Sequence, residues 1–371
     1  MIGRPSLAFY APLKAPDHAV PSGDRRMAQL LLKALTVAGF APFVASQLRS
    51  HDMTGDASVQ QGLMRSALAE ADAIVARFAA APPQERPRLW FTYHVYYKAP
   101  DWIGSTVARK LAIPYVVAEG SRAPKRKDGP WQLGHAAAEA ALDQAKVIFL
   151  FNDADRPMLE SAMPASQRLV DLKPFIEADE RCVARPPATD GPPRLLSVAM
   201  MRHGDKLTSY RLMAEAMQRI ADRPWKLAIA GDGEARQEVE KAFAPHGDRV
   251  TFLGLVEDPA ALGRLYAESD VFVWPAVNEA YGMVLLEAQA HGCPVVAGRF
   301  GGVPNVVRDG ETGLLTQPGD AAALAAAVKA LLDDPARRRV MGEAAESFVR
   351  RERTVAPAAR VLRDHLAPLV V

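Results

Sequence analysis

Short apolar strands alternate with Ala- and Leu-rich helical stretches along most of this 371-residue chain. In the first half the strand-like runs are SLAFYAP, APFVAS, RLWFTYH, PYVVAEG and KVIFLFN. In the second half they are RLLSVAM, KLAIAGDG, RVTFLG, DVFVWPA, PVVAG and GLLTQ. Strands separated by helices of about 10 to 15 residues predict βαβ units with parallel strands. The alternation therefore predicts an α/β fold with doubly wound sheets.

The alternation is interrupted once, between Ile176 and Pro193. This stretch contains Pro186, Pro187, Pro192 and Pro193, which cannot continue a helix or a central strand. We therefore predict a domain at 1–176, a hinge linker at 177–193, a second domain at 194–352 and a tail helix at 353–371. Doubly wound domains bind ligands at the carboxyl ends of their strands, so two of them predict a cleft that holds two substrates.

Composition excludes several classes of protein. With 49% apolar and 24% charged residues the chain is neither disordered nor fibrous. No apolar run reaches the ~18 residues of a membrane span, and the N-terminus lacks a signal-peptide cleavage site. Two cysteines, Cys182 and Cys293, make no disulfide framework, which favours a cytoplasmic protein.

The charge distribution bears on partners. No dense stripe of Lys and Arg interleaved with aromatics is present, which argues against nucleic-acid binding. A modest basic excess in the first half suits an anionic acceptor or peripheral contact with the inner face of a membrane, although ordinary scatter also explains it.

The segment from Asn278 to Leu315 is the part of the sequence most informative about chemistry. Glu279 precedes a predicted helix that begins near Gly282, and Glu287 lies inside that helix. A helix N-terminus presents unpaired amides and a positive dipole end, which suit a phosphate. A carboxylate within the helix can accept hydrogen bonds from a ribose diol.

Three features of this segment carry a resemblance to a known family. The spacing of Glu279 and Glu287, the turn Gly301–Pro304 and the run Asp309–Leu315 resemble the family 4 (GT4) retaining glycosyltransferases, also called glycosyl transferases group 1. The resemblance implies the GT-B fold, in which two Rossmann-like domains face each other across a cleft. It also implies that the first domain binds the acceptor, that the second binds a nucleotide-sugar donor, and that the tail helix crosses back to the first domain.

The same resemblance implies roles for residues of the second domain. Glu279 would face the donor hexose as a catalytic residue, and Glu287 would hold the ribose. The nucleotide base would lie on the loop with Leu253, Gly254 and Leu255. Sugar hydroxyls and phosphate would bind the backbone amides of Ala280, Tyr281, Gly282 and Met283.

A basic pair is expected to bind the diphosphate. The family's usual Arg falls on Met200 or Met201 here, so the candidates are Arg202 and Lys206. A spacing of four residues would put both on one helical face, where they would stabilise the leaving charge. The alternative is an exposed surface pair. The turn Gly231-Asp232-Gly233 is interpreted as mostly structural.

The first half resembles the family less closely. Gly23 precedes the first helix where the family has a glycine-rich loop near the donor phosphates, and Arg25 could contact an anionic acceptor; capping by Ser22 or Asp24 is the alternative. Glu119 lies where many relatives have a His that contacts the donor sugar.

Two strand-end side chains therefore have competing interpretations. Glu119 is a catalytic candidate, and pairing with Arg122, Lys125 or Arg126 is the alternative. His94 is an acceptor-side candidate or a structural histidine.

These expectations combine into one function. The chain is expected to be a metal-independent, retaining glycosyltransferase without a cofactor, moving a hexose from a nucleotide diphosphate to an acceptor hydroxyl. A glycan, a lipid-linked precursor or a cell-envelope polysaccharide precursor would fit as acceptor. The alternatives are a nucleotide-sugar 2-epimerase and a non-catalytic homologue that binds a nucleotide sugar.

Overall fold

The computed structural model describes residues 4–20, 22–177 and 191–370. These residues divide into two units, one comprising the chain up to Lys173 together with the residues from Val355 on, the other Pro174–Thr354. Most of the predicted hinge linker, 178–190 with Cys182, lies outside the described residues, and so does Pro21.

Unit 1 is a six-stranded parallel sheet with the order β2-β1-β3-β4-β5-β6. Its strands are β1 (Ser6–Tyr10), β2 (Ala41–Val44), β3 (Leu89–Val95), β4 (Tyr115–Gly120), β5 (Val147–Leu150) and β6 (Arg168–Asp171). Its helices are α1 (Gly23–Val37), α2 (Ala57–Ala80), α3 (Gly104–Lys110), α4 (Gln132–Gln144), α5 (Arg156–Ser161) and α12 (Val355–Leu366). The strand order reverses at β1, so the switch point lies between β1 and β3.

Unit 2 repeats this architecture with the order β12-β11-β10-β7-β8-β9, again all parallel. Its strands are β7 (Arg194–Val198), β8 (Lys226–Ala230), β9 (Val250–Gly254), β10 (Val271–Trp274), β11 (Val295–Gly298) and β12 (Gly313–Thr316). Its helices are α6 (Asp205–Arg219), α7 (Arg236–Phe243), α8 (Pro259–Glu268), α9 (Met283–Ala290), α10 (Ala321–Leu332) and α11 (Pro335–Glu352). Here the switch point lies between β7 and β10.

Central strands form where the sequence is apolar without alternation. All four residues of β5 (VIFL) and all four of β10 (VFVW) are buried, because helices cover both faces of a parallel sheet. Each unit has its own apolar core. The predicted α/β class with two Rossmann-like domains is confirmed.

One strand and one helix of unit 1 were not predicted. β6 has the sequence RLVD and lies at the sheet edge, where only Leu169 and Val170 are apolar and half-buried. α5 has only six residues. Both are too short and too polar to give a periodic signal.

The C-terminal helix belongs to unit 1, where α12 packs beside α1. Its buried residues are Val355, Ala358, Ala359, Leu362 and Leu366. Arg88 donates to the carbonyl of Val370 at 2.9 Å, which ties the residues after α12 to the segment before β3. Across the described residues, no helix combines the length and apolarity that crossing a bilayer requires.

Candidate nucleotide-sugar site

The loops after β7 and β10 meet at the switch point of unit 2. In an open parallel sheet this is where a crevice forms, because neighbouring connections leave toward opposite faces. The loop after β7 leads into α6, and the loop after β10 leads into α9. Two predicted residues are brought together here, Lys206 from α6 and Glu279 from the loop after β10.

Lys206 and Glu279 form an ion pair with Nζ and Oε2 2.5 Å apart. The side chains are 34% and 19% exposed, so the pair is partly desolvated yet open to a ligand. Trp274, the last residue of β10, donates its indole N–H toward the same carboxylate oxygen at 3.4 Å, and Lys206 Nζ lies 5.3 Å from the indole centroid. A positive charge is therefore held at the switch point.

The loop from Ala276 to Gly282 is held in a conformation that is costly for the chain. Ala276 and Asn278 have φ values of 58° and 50°, in the left-handed region that non-glycine residues avoid. Two hydrogen bonds to α6 hold it: Val277 N–H donates to Ser209 Oγ at 3.0 Å, and the Asn278 amide donates to Asp205 Oδ1 at 2.9 Å. Such strain is typical of loops that position functional groups.

The Gly301-Gly302 turn packs against the backbone of this loop. Gly302 N–H donates to the carbonyl of Ala280 at 2.9 Å. A Cβ at Gly302 would lie 2.0 Å from that oxygen, and one at Gly301 would lie 2.4 Å from the carbonyl of Glu279. The two glycines are therefore required by backbone packing, which explains why they accompany the glutamate motif.

The N-terminus of α9 follows directly. Gly282 caps the helix in the left-handed conformation (φ 70°, ψ 61°), and Met283 is its first residue. Ala280 lies in the supported loop, and the side chain of Tyr281 is buried. The helix dipole and its first amides make this end suitable for an anionic group.

Glu287 lies in the second turn of α9 and is half-buried. The hydroxyl of Tyr266, a buried residue of α8, donates to Glu287 Oε2 at 3.0 Å. Burial, together with the charge of Glu287, raises the pKa of Tyr266, which keeps its hydroxyl a donor. This partner could not be predicted, since the two residues are 21 positions apart in the chain.

The end of β9 presents apolar surface at the same sheet edge. Leu253 is 39% exposed and Leu255 is 60% exposed, which is unusual for leucine beside a strand. Gly254 has φ 69°, and its carbonyl accepts from Gly231 N–H at 2.7 Å. Two exposed leucines offer a face on which a flat aromatic base can lie.

The predicted helical spacing of Arg202 and Lys206 is wrong. α6 begins at Asp205 because Gly204 precedes it with φ 77°, so Arg202 lies in the loop before the helix. Arg202 is exposed, and its guanidinium lies 3.7 Å from the sulfur of Met200. Lys206 is thus the cation that the structure places against Glu279.

The Gly231-Asp232-Gly233 turn holds the same loop. A Cβ at Gly231 would lie 1.9 Å from the carbonyl of Ala199, and one at Gly233 2.3 Å from that of Met201. Met201 N–H in turn donates to the carbonyl of Asp232 at 2.9 Å. The turn is a close backbone support, as its structural interpretation predicted.

Unit 1 has a separate cluster of charged residues at its own switch point. His94 Nδ1 lies 3.0 Å from Asp24 Oδ1, and His94 Nε2 lies 3.6 Å from Glu119 Oε1. His94 and Glu119 come from the ends of β3 and β4, and Asp24 from the first turn of α1. His94 and Glu119 have φ values of 66° and 61°, so both strand ends are strained.

This arrangement makes His94 a cation. Burial alone would lower its pKa, but the charge of Glu119 and the hydrogen bond with Asp24 outweigh burial and raise the pKa to about 9. Burial likewise opposes ionisation of Asp24, yet the hydrogen bond and charge of His94 lower the pKa of that carboxyl. The site therefore holds a protonated imidazole between two carboxylates.

The alternative interpretation of Glu119, pairing with a basic residue in the segment that follows β4, is not what the structure shows. Arg122 pairs with Glu139 and Asp143, and the Arg126 guanidinium lies 5.3 Å from the Tyr97 ring centroid. Lys125 is exposed and likewise does not pair with Glu119.

The residues at the start of α1 cap the helix, which was the alternative interpretation of this segment. Ser22 caps α1 by accepting from Arg25 N–H at 3.2 Å, and Arg25 Nε donates to the carbonyl of Pro16 at 3.3 Å. A Cβ at Gly23 would meet nothing within 4 Å, so packing does not require glycine there.

Unit 1 contains an Asp-x-Asp spacing at Asp153 and Asp155, which the expectation of metal independence wrongly took to be absent from the sequence. Asp153 forms an ion pair with Lys173, whereas Asp155 is hydrogen-bonded by Ser121 and lies near His94. Burial raises the pKa of Asp155. In the described part of the chain, no three His, Cys, Asp or Glu side chains gather as a metal ion would need.

Known proteins resemble this chain in sequence. A model of the family described as "Glycosyl transferases group 1" matches residues 192–334. Sulfoquinovosyl transferase SQD2 of Arabidopsis thaliana is 36% identical over 140 residues, which are 37% of this chain and 26% of that protein. 2-Deoxystreptamine glucosyltransferase of Streptomyces kanamyceticus is 30% identical over 260 residues, 63% of this chain and 65% of that protein. The chain thus spans less than two thirds of either relative.

A solved structure shows the same fold over the whole chain. Anabaena Alr3699/HepE, determined in complex with UDP and glucose, matches with a TM-score of 0.70 and 16% identity, covering 98% of this chain and 100% of that one. The family match includes the segment with Lys206, Glu279 and Glu287. Residues 192–334 thus match the glycosyl transferases group 1 family, and the described residues have the GT-B fold.

Proposed function

We propose that this protein transfers a hexose from a nucleoside-diphosphate sugar to an acceptor hydroxyl with retention of anomeric configuration. The observation that carries the proposal is the Lys206–Glu279 pair at the switch point of unit 2, inside the family-matched residues. The family match and the UDP and glucose bound by the Anabaena protein support a nucleotide-sugar donor.

Each feature of unit 2 then has a role toward the donor. The α9 N-terminus and Lys206 would bind the diphosphate, and Glu279, released from part of its ion pair, would accept hydrogen bonds from hexose hydroxyls. Glu287 would accept from the ribose diol while Tyr266 fixes its other oxygen. The exposed leucines at the end of β9 would contact the base.

In the chemical step the bond between the anomeric carbon and the diphosphate oxygen breaks. The acceptor oxygen forms its bond to that carbon on the same face, and the acceptor proton passes to the departing diphosphate. Lys206 and the helix dipole stabilise the charge that develops on the diphosphate, which is the main contribution to the rate. Arg202 is free to swing toward the same charge from its exposed loop.

We propose that turnover needs no metal ion, because Lys206 and the α9 N-terminus supply positive charge where a divalent ion would otherwise act. Adding EDTA should leave the rate unchanged. Loss of activity in EDTA that Mg²⁺ or Mn²⁺ restores would contradict this part of the proposal.

The donor is tested by thermal shift against UDP-, GDP-, ADP- and TDP-sugars. A ligand at about 100 times its Kd stabilises the fold by ~2.7 kcal/mol, a shift of several degrees. Glu287→Gln keeps an acceptor for Tyr266 but weakens the ribose contact, so the shift should shrink. Glu343→Ala, which changes an exposed residue of α11 that pairs with Arg339, is the control.

Incubating the protein with the selected donor, with and without acceptor, distinguishes a transferase from an epimerase and from a non-catalytic homologue. Release of nucleotide in an acceptor-dependent manner supports transfer. A changed nucleotide sugar without acceptor would identify an epimerase, and tight binding without turnover in any extract would identify a non-catalytic homologue. No shift with any nucleotide sugar would overturn the proposed function.

A further inference from the structure

Three basic residues of unit 1, Arg49, His51 and Lys98, form a cationic cluster that the proposed function has not used. Arg49 and His51 lie in the segment after β2, and Lys98 lies in the segment after β3. Because β2 and β3 both flank β1 in the parallel sheet, the two segments meet at its carboxyl edge.

The cluster is fixed by hydrogen bonds to the backbone. Arg49 Nε donates to the carbonyl of Leu13 at 2.9 Å, and its terminal nitrogen lies 2.7 Å from His51 Nδ1. The amide of Asp52 donates to the carbonyl of Lys98 at 2.9 Å, which joins the two segments. The side chains of Arg49 and His51 and the backbone of Lys98 are thus held in place by hydrogen bonds within the chain.

Among the described residues no carboxylate forms an ion pair with Arg49 or Lys98, although the charges of Asp24 and Asp52 act on His51. Lys98 Nζ instead lies 5.2 Å from the Trp131 ring centroid. The nearby Asp52 is occupied by Thr54 and Gly55, whose amides donate to it. Arg49 uses two of its five N–H groups, one toward the Leu13 carbonyl and one toward His51, so its other N–H groups can donate to an anion.

His51 completes the set of donors. Burial and the charges of Arg49 and Lys98 lower its pKa, so the imidazole is neutral near pH 7. Since Nδ1 accepts from Arg49, the proton lies on Nε2, which is left as a donor. The guanidinium fork, the lysine point charge and this N–H together match the several oxygens of a phosphate.

The cluster adjoins the His94 site. The His51 and Tyr96 ring centroids are 6.5 Å apart, and those of Tyr96 and His94 are 5.1 Å apart. A molecule of a few carbon atoms could therefore contact His94 with one end and the cationic cluster with the other.

We propose that Arg49, His51 and Lys98 bind a phosphate group carried by the acceptor, so that the acceptor is a phosphorylated polyol or glycan. The inference rests on the proposed function in identifying the ligand as the acceptor, but phosphate binding itself can be tested without turnover. The phosphate belongs to a soluble ester or to a lipid headgroup, and the chemistry that recognises it is the same.

The test is calorimetric titration of the full chain with sn-glycerol 3-phosphate, in the presence of a saturating concentration of the nucleoside diphosphate that the thermal-shift panel selects, which occupies unit 2. Glycerol should not bind, and Arg49→Gln and Lys98→Gln should each weaken binding of the ester about tenfold or more, the loss expected for one charged hydrogen bond. Arg109→Gln, which removes an exposed arginine at the C-terminal end of α3, should leave the affinity unchanged.

A second arm uses phosphatidylcholine vesicles with and without phosphatidylglycerol. Binding to the anionic vesicles that Arg49→Gln weakens, and Arg109→Gln does not, assigns the phosphate to a lipid. Binding of the soluble ester alone assigns it to a soluble acceptor. No binding to either probe, or equal affinity in Arg49→Gln and Arg109→Gln, overturns the inference. Failure of every nucleotide sugar of the thermal-shift panel to bind overturns the proposed function instead.

Discussion

Replacing Lys206 with methionine should separate the structural and chemical contributions of the Lys206–Glu279 pair. At 2.5 Å and an effective dielectric constant of about 20, the gross attraction is about 7 kcal/mol. Desolvation and the ordering of a long side chain offset most of it, because both groups keep contact with solvent. The variant should therefore lose about 1–2 kcal/mol of unfolding free energy.

Its effect on turnover should be larger. Removing one group that stabilises a developing oxyanion costs about 10² to 10³ in kcat, or about 3–4 kcal/mol of barrier. The assay is nucleotide release from the donor that the thermal-shift panel selects, combined with urea denaturation of the same sample. Glu279→Gln and the double variant complete a cycle that isolates the ion pair.

Near-normal behaviour of Lys206→Met would refute the role assigned to Lys206. If Lys206→Met folds with normal stability and releases nucleotide within about threefold of the wild-type rate, Lys206 does not stabilise the leaving group. The loss of stability without loss of rate would reduce the pair to a structural role.

Three further predictions follow from other positions. The pKa of His94 is raised from 6.5 to about 9. Protonation of His94 therefore contributes fully to stability below pH 6.5, by at most about 3 kcal/mol, and this contribution disappears as pH rises through 9. The difference in unfolding free energy between wild type and His94→Gln should accordingly shrink from pH 6 to pH 10. Gly302→Ala places a Cβ 2.0 Å from the carbonyl of Ala280 and should displace the loop from Ala276 to Gly282, lowering donor affinity in calorimetry about tenfold or more. Gly62→Ala, in α2 and with open space around its Cβ, should bind donor normally. Leu255→Asp should leave Tm unchanged, since the side chain is 60% exposed, but weaken binding of the nucleotide; unchanged affinity would remove the base from this loop.

Much of unit 2 was predictable because its signals are local. The apolar runs of β7 to β12 are bounded by turn residues, and Glu279, Gly282 and Glu287 lie on one loop and the helix after it. The turn at Gly301 and Gly302 was recognised as a motif, but its reason became clear only when its backbone was placed against that of Glu279 and Ala280.

What the sequence did not predict depends on residues far apart in the chain. Asp24 and His94 are 70 positions apart, and no periodicity links them. Arg202 was placed wrongly on the helix because Gly204, with a positive φ, precedes the start of α6, and the sequence alone does not reveal that conformation. The edge strand β6 was missed because one-sided pairing needs little apolar sequence.

The return of α12 to unit 1 has a consequence for how the protein is made. α1 buries Met27, Leu30, Leu31, Ala34 and Leu35, and α12 lies beside it. At 5–20 residues per second a ribosome needs about 10 to 40 seconds for the roughly 180 residues of unit 2, during which α1 lacks its neighbour. Unit 2 is contiguous in sequence, so all of its residues are synthesised before α12 appears. The domain that begins the chain is thus the last to be finished, and a nascent chain stalled before Val355 exposes an apolar face to chaperones.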